Sequence, residues 1–328
     1  MAGQQVIMSV RAATDMLVLA MAVALMLMCS STAVEATLEY DFYSSSCPQV
    51  ENLVYQEISK AYWNDSTVAP GILRISFHDC FNQGCDASVL VKGNTTERAA
   101  VQNSQLHGFE AINAAKWAVE QSCPGVVSCA DILQYAARDT VKLTKGLGWS
   151  VPAGRRDGLV SLASDPPLNL PPSTFTAEEL IANFAAKGLS AEQMVILSGS
   201  HTIGVTHCLQ LQDRIFGTID PTMPKDLLAE LQATCPTNLT TTPLVIDRHT
   251  VDQFDTQYFS NIASGYGLMT SDQTLYADPA TRPFVEANLQ QGVFDSNFAA
   301  AMVSMSWISV KTGSEGEIRH HCEYFNGN

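Results

Sequence analysis

The stretch Leu73-Arg74-Ile75-Ser76-Phe77-His78-Asp79-Cys80 combines an apolar pattern with two side chains that can do chemistry. Arg74 and His78 are four residues apart, so on a helix they share one face, one turn above the other. A permanent cation beside a base that titrates near neutrality can take a proton from a weak acid and return it to a leaving group. The alternative is a surface Arg beside a core His, and this stretch alone favours that simpler interpretation.

Length, composition and charge exclude some classes of protein. The chain has 328 residues, 46% of them hydrophobic, which is enough for a large core and unlike a disordered protein. Its formal net charge of -15 argues against a sequence-independent grip on nucleic acid phosphates, so we expect no nucleic acid partner. The acidity suits a soluble enzyme but names no substrate.

The N-terminus is predicted to be a signal peptide over residues 1–36, with the folded domain over 37–328. An apolar run over 16–29 follows a basic residue, is too short for a membrane span and precedes small residues. Cleavage after Ala36 fits a small-x-small pattern, and Ala33 is a second candidate. No later apolar run reaches spanning length, so we expect a secreted product without a membrane span.

Cysteine usage agrees with secretion. Of nine cysteines, one lies in the predicted signal segment, and the eight that remain are an even set typical of disulfides. Sequence alone leaves many pairings open. Zinc clusters are the competing interpretation, but the spacings are irregular and contain no Cys-x2-Cys pair. Sequons at Asn64, Asn94 and Asn238 are candidate glycosylation sites, with occupancy left open.

The predicted fold class is all-α with long loops and little β. Helical spacing and N-capping residues predict helices over 50–61, 68–80, 111–121, 128–143, 176–188, 190–201, 224–233, 255–264, 281–290 and 296–310. Strand signals are brief, for example Leu244-Val245-Ile246.

A second histidine, His201, ends one of these helices in Leu197-Ser198-Gly199-Ser200-His201-Thr202-Ile203-Gly204. A His among small residues is a common way to present a nitrogen ligand to haem iron. Asp272 could accept its Nδ1 proton and raise its basicity, although nothing local forces that pairing. A His packed at a helix end is an equally good interpretation of this segment alone.

Together these motifs resemble the secreted plant haem peroxidases, the class III family. The stretch from Arg74 to Phe81, followed by Gly84-Cys85-Asp86-Ala87-Ser88, matches the distal signature of that family. The segment around His201, with Cys208, matches its proximal signature. The central-helix and loop motifs of the family match Ser122-Cys123-Pro124, Val127-Ser128-Cys129-Ala130-Asp131 and Gly154-Arg155-Arg156-Asp157-Gly158. The similarity runs in order over 38–322.

The resemblance implies the haem-peroxidase fold, with two helical lobes and one haem b between them. It also implies four disulfides, which would join Cys47–Cys123, Cys80–Cys85, Cys129–Cys322 and Cys208–Cys235.

The resemblance further implies a mechanism for reducing hydrogen peroxide. His78 would accept the peroxide proton and hand it to the departing oxygen, while Arg74 would stabilise the developing negative charge. Asn103 would hold the Nδ1 proton of His78, leaving Nε2 free as the base. On the other side, His201 would ligate the haem iron, and Asp272 would make that imidazole more electron-donating.

Two Ca²⁺ sites are also implied, and both consist of the oxygen ligands that calcium prefers. The first would take Asp79, Asn82, Gly84, Asp86 and Ser88. The second would take Thr202, Asp247, Thr250, Gln253 and Asp255. One ligand of each site directly follows a haem-side histidine, so calcium would hold both imidazoles from behind.

The chain departs from the family pattern near this site. Ser76 stands where the family usually has His, Asn82 where it usually has Val, and His107 where it usually has Arg. One residue is missing between Asn103 and Gly108, so the role of Asn103 depends on a gap placed just after it.

The expected function is that of a secreted, monomeric peroxidase of the apoplast or cell wall. It would oxidise small phenols or wall phenolic polymers, with reducing molecules such as phenols donating electrons at the haem edge near Pro171. Its roles would be in cell-wall phenolic and lignin chemistry and in the response to oxidative stress. The alternative is a catalytically weak extracellular binding or structural protein that carries calcium and glycans on the same fold. The intact set of Arg74, His78, His201 and Asp272 favours the enzyme.

Overall fold

Helices account for about half of the described residues. The computed structural model describes residues 37–217, 219–235 and 241–327, so the predicted signal peptide and the Asn238 sequon lie outside the described residues. The helices in these ranges are α1 Val50–Asn64, α2 Val68–Phe81, α3 Phe109–Ser122, α4 Cys129–Leu143, α5 Pro166–Asn169, α6 Ala177–Ala185, α7 Ala191–Ser198, α8 Lys225–Thr234, α9 Gln257–Ala263, α10 Thr270–Ala277, α11 Arg282–Ala287 and α12 Gln291–Met305. Two short strands, β1 Val205–His207 and β2 Pro243–Val245, pair antiparallel. The predicted all-α class with little β is confirmed.

Several helices begin where the sequence supplies a side-chain acceptor for a free N–H group. Thr176 caps α6 and Ser190 caps α7, each in a reciprocal capping box with the residue three positions on. Ser128 caps α4 by accepting the N–H of Asp131 at 3.0 Å. These predicted starts are confirmed.

The last predicted helix, over 296–310, is wrong by more than one turn. Helix α12 begins at Gln291, whose amide donates to Asp295 at 2.9 Å. It ends at Met305, because the next carbonyl, that of Ser306, accepts both Nε and Nη2 of Arg155 at 3.0 and 2.7 Å. A guanidinium that occupies this carbonyl stops the helical ladder, and the apolar residues beyond it gave a misleading helical signal.

Two other predictions also need correction. The helix expected to reach His201 ends at Ser198, and the chain tightens into a 3₁₀ turn over Gly199–Thr202. The sequence prediction also missed helix α10 and strand β1, since neither shows a clear apolar period. Within the described ranges no helix is both long and apolar enough to cross a bilayer.

Four disulfides tie the chain together. They join the pairs that the family resemblance implies, Cys47–Cys123, Cys80–Cys85, Cys129–Cys322 and Cys208–Cys235.

Two hydrophobic cores share the helices α2 and α4, which pack against each other. Ile72 and Ile75 of α2 belong to the first core, with α1 and α3, whereas Leu73 and Phe81 belong to the second, with α6, α7 and α12. Both cores therefore hold α2, and its remaining face carries Arg74 and His78. The packing fixes the helix on which the candidate base lies.

A buried ionic network holds the start of α4. Arg155 and Asp131 form an ion pair at 2.8 Å with both side chains fully buried. Asp157 accepts the N–H groups of Cys129 and Ala130, at 3.1 and 2.9 Å. Carboxylates at a helix N-terminus satisfy its free N–H groups and its positive dipole end, so this network anchors the central helix.

Candidate active site

His78 lies buried on α2, between Arg74 and the 3₁₀ turn that ends at Asn103. The Nδ1 atom of His78 lies 2.6 Å from Oδ1 of Asn103, and the Nε group of Arg74 donates to Nε2 of His78 at 3.1 Å. The i, i+4 spacing places the Arg74 side chain beside Nε2 of His78, as the sequence predicts. The long loop after α2 brings Asn103 to the other ring nitrogen, Nδ1.

Asn103 fixes which nitrogen of His78 carries the proton. Its Nδ2 group donates to the backbone carbonyl of Glu97 at 2.7 Å, so Oδ1 faces the imidazole as an acceptor. Nδ1 of His78 must then carry the hydrogen, and Nε2 keeps its lone pair. The gap after Asn103 does not prevent this contact.

Burial and charge keep His78 neutral. Burial first and the neighbouring Arg74 second lower the pKa of His78, the hydrogen bond that His78 donates to Asn103 raises it, and the net pKa is about 3. Arg74 reaches solvent, yet surrounding protein lowers the pKa of its guanidinium, as at the wall of a crevice. The pair therefore presents an uncharged base next to a cation.

His201 has a different environment. Its Nδ1 lies 2.7 Å from Oδ1 of Asp272, and its side chain is 40% exposed whereas that of Asp272 is buried. The Tyr258 hydroxyl and the Met269 N–H also donate to Asp272, at 3.1 and 3.3 Å, which holds the carboxylate in place. Among the described residues, Nε2 of His201 has no hydrogen-bond partner.

The two histidine segments border the same space. A Cβ atom on Gly204, three residues after His201, would lie 2.8 Å from Pro70 in the first turn of α2. His207 lies within electrostatic reach of Arg74, which lowers the pKa of that imidazole after burial does. An accessible imidazole nitrogen on one side and a neutral base with a cation on the other fit haem as a donor set.

Buried oxygens gather behind His78. Asp79, Asp86 and Ser88 are all buried, and the pKa of Asp79 is raised well above its usual range by burial, then by Asp86 and Glu97. The buried oxygens Ser88 Oγ, Asn82 Oδ1 and Glu97 Oε1 have no hydrogen-bond partner. Like charges and unpaired oxygens held together in this way fit a hard cation such as Ca²⁺.

The second predicted set of oxygens lies in one loop behind His201. Thr202 Oγ1 contacts Asp255 at 3.2 Å and the Gln253 carbonyl at 3.5 Å, and Thr250 Oγ1 donates to Asp247 at 2.8 Å. The backbone N–H of Gln253 donates to the carbonyl of Thr250, which links the contacts of Thr202 to those of Asp247. Within the described residues no three His, Cys, Asp or Glu side chains converge on one point, so a cation at either place would need hydroxyl and carbonyl ligands too.

The remaining predicted sites lie in a loop or at a helix end. Pro171 lies two residues after the end of α5, and the Ser173 hydroxyl beyond it donates to the side chain of Gln210 at 2.8 Å. Asn64, at the end of α1, and Asn94 are both exposed, as glycosylation would require. The roles of all three stay predictions.

Glu97 is a buried site residue that the sequence analysis missed. Its carbonyl orients Asn103, and its side chain accepts Nδ2 of Asn82 at 3.0 Å. Burial raises the pKa of Glu97 to about 7. An acidic residue in a polar loop gives no sequence signal of burial, so only the fold reveals it.

Comparison with known proteins identifies the family of this chain. The family model described as peroxidase matches residues 54–291. "Peroxidase 71" from Arabidopsis thaliana is 47% identical over 291 residues, which cover 87% of this chain and 88% of the relative. "Peroxidase N1" from Nicotiana tabacum is 46% identical over 296 residues, 87% of this chain and 89% of the relative. "Peroxidase 5" from Vitis vinifera is 44% identical over 314 residues, 92% of this chain and 95% of the relative. This chain therefore belongs to the peroxidase family, as a class III plant haem peroxidase that acts on hydrogen peroxide.

Proposed function

We propose that the protein is a secreted peroxidase that reduces hydrogen peroxide with single electrons from phenolic donors, in cell-wall phenolic chemistry and the response to oxidative stress. The observation that carries this proposal is the hydrogen bond from His78 Nδ1 to Asn103, which leaves Nε2 as an unprotonated base beside Arg74. Haem supplies the redox chemistry when bound, and His201 Nε2 would hold it.

His78 and Arg74 divide the work of peroxide cleavage. Nε2 of His78 accepts a proton from one peroxide oxygen and returns it to the oxygen that leaves as water. The Arg74 guanidinium stabilises the negative charge that develops between these two transfers. Arg74 first has to move off Nε2, since its Nε group occupies that lone pair at 3.1 Å.

Asp272 increases the electron donation of His201. Its carboxylate accepts the Nδ1 proton of His201, which makes the imidazole a stronger donor through Nε2. A carboxylate partner favours an electron-rich ligand, whereas the amide partner of His78 does not increase basicity to the same degree.

Calcium would hold both histidine segments from behind. The unpaired buried oxygens around Asp79 and the oxygen-lined loop around Asp255 support one Ca²⁺ ion at each place. The predicted signal peptide would direct the chain into the secretory route to the apoplast or cell wall and would be removed on the way. N-terminal sequencing of the exported chain tests this prediction and decides between cleavage after Ala36 and after Ala33.

The decisive test is a purified protein folded with haem and calcium. We expect a Soret band and peroxide-dependent oxidation of a phenolic dye. A Soret band without oxidation would support instead a catalytically weak binding or structural protein on this fold. Oxidation of inorganic donors but of no phenol would contradict the proposed donor class.

A further inference from the structure

An unbroken series of aromatic contacts leads from His201 to the protein surface. The ring centroids of His201 and Tyr258 are 6.0 Å apart, and Tyr258 is followed by Phe259 at 5.2 Å. Phe259 contacts Phe294 at 5.0 Å. All of these separations lie in the range of aromatic rings in direct contact.

The outer half of the series ends at a tryptophan. Phe294 and Phe298 are 5.6 Å apart, and Phe298 meets Trp149 edge-on at 6.1 Å. The intervening rings from Tyr258 to Phe298 are at most 2% exposed, so no solvent separates them. Trp149 alone of this series combines partial solvent exposure with an easily oxidised ring.

Trp149 lines a surface cleft of about 530 Å³. The other lining residues are Tyr40, Ser150, Ala299, Ala300 and Val303, and none of the six carries a charge. Tyr40 is 59% exposed. The cleft is open and apolar and is bordered by two aromatic rings, which suits a flat, uncharged aromatic ligand.

We propose that Trp149 is a surface electron-entry site, at which phenolic rings carried on a polymer are oxidised through the aromatic series. The proposal rests on the proposed function, since peroxide reduction at His78 supplies the oxidant. The cleft at Trp149 lies open on the protein surface, where a ring carried on a polymer can reach it.

The electrons and protons balance at each end. One hydrogen peroxide takes two electrons and two protons and gives two waters. For each electron, the indole of Trp149 loses one electron inward and its Nε1 proton to solvent, which leaves a neutral indolyl radical. A phenol in the cleft returns one electron and one proton to the indole and becomes a phenoxyl radical. Two such cycles complete one turnover of peroxide.

The first test uses peroxide without any donor, followed by mass spectrometry of tryptophan oxidation. Direct attack by peroxide in solution would follow exposure, so Trp63, Trp117 and Trp307, which are 76%, 65% and 42% exposed, would be modified before Trp149. Oxidation through the aromatic series predicts a different order, in which Trp149 is oxidised first and only when haem is bound. Oxidation in the order of exposure would overturn the proposal.

The second test compares Trp149→Phe with Trp117→Phe. Phenylalanine keeps a ring against Phe298 but is much harder to oxidise, and Trp117 lies outside the aromatic series, so its variant controls for loss of a surface indole. We expect Trp149→Phe to lose an order of magnitude in oxidation of a lignin-like phenolic polymer, with the Soret band and the oxidation of a small phenol unchanged. Trp117→Phe should match the parent protein in all three.

The outcomes separate this proposal from the proposed function. Equal rates on the polymer for both variants, or an equal loss on polymer and small phenol in Trp149→Phe, would overturn the surface site. Failure of the parent protein to oxidise any small phenol would instead overturn the proposed function.

Discussion

The two histidines of the site are held by different partners. His78 is buried and gives its Nδ1 proton to an amide oxygen of Asn103, whereas His201 is half-exposed and gives its Nδ1 proton to the carboxylate of Asp272. A neutral partner fixes the tautomer but does little to raise basicity, while a charged partner does both. The difference fits the two roles proposed above, in which His78 is a base that must stay uncharged and His201 is a ligand that must donate electrons.

The largest effect is expected from His201→Ala. It removes the imidazole that would hold the haem iron, so we expect loss of the Soret band and of all activity, with the far-UV circular dichroism retained. His321→Ala, at an exposed position, is the matched control and should keep both. Full haem retention in His201→Ala would contradict the assignment of the ligand.

His78→Ala removes the candidate base rather than the candidate haem ligand. The variant should keep its Soret band but react with peroxide about 10²- to 10⁴-fold more slowly, the usual contribution of a positioned acid–base group. Stopped-flow absorbance measures this step. If His78→Ala and His201→Ala behaved alike, the two opposite roles would be wrong.

Asp272→Asn converts the carboxylate partner of His201 into an amide like that of His78. Loss of such a partner costs about 10- to 100-fold in metal affinity or activity, and we expect a fall of that size with haem still bound. Steady-state kinetics and haem titration measure it. Asp213→Asn, at an exposed position, makes the same charge change and should have no effect.

Asn103→Asp makes the reverse exchange and should shift the pH profile. The parent base becomes protonated only near its pKa of about 3, so its peroxide rate should stay level as the pH falls and drop only near that value. A carboxylate beside Nδ1 favours the imidazolium and raises this pKa, so the acid limb should move to higher pH. Gln102→Glu changes the charge equally on the exposed neighbouring residue and should leave the limb in place.

Calcium removal should have the smallest effect. Without a cation, the buried carboxylates around Asp79 repel one another, so the haem pocket should loosen while the helices persist. We expect a fall of a few degrees in the melting temperature, as for a loss of about 1 to 2 kcal/mol, with a weaker Soret band. Unchanged stability and activity after verified removal would contradict the calcium sites, and adding Ca²⁺ back is the control.

Local sequence chemistry predicted the helices that begin at strong caps. Thr176, Ser190 and Ser128 each accept an N–H three residues on, which the sequence encodes directly. The end of α12 was not predictable in the same way, because Arg155 terminates it from more than a hundred residues away. Boundaries set by distant side chains leave no local pattern.

In the candidate site too, local sequence predicts some contacts and tertiary packing decides the others. The geometry of Arg74 and His78 follows from their spacing on one helix, but the contact of His201 with Asp272 depends on how α10 packs. Glu97 had no signal at all, since its importance comes from burial under a loop whose sequence is polar. Spacing predicts partners within one element, and only tertiary packing decides partners between elements.

The network at the start of α4 joins parts of the chain that are far apart in sequence. Asp157, which accepts the first N–H groups of α4, also accepts the N–H of Arg319, and Cys129 at that helix start is bonded to Cys322. The start of the central helix is therefore tied to residues that lie up to 193 positions further along the chain. Until those residues have been synthesised, Asp157 and Cys129 each lack one of their partners, so this junction between distant parts of the chain forms late in folding.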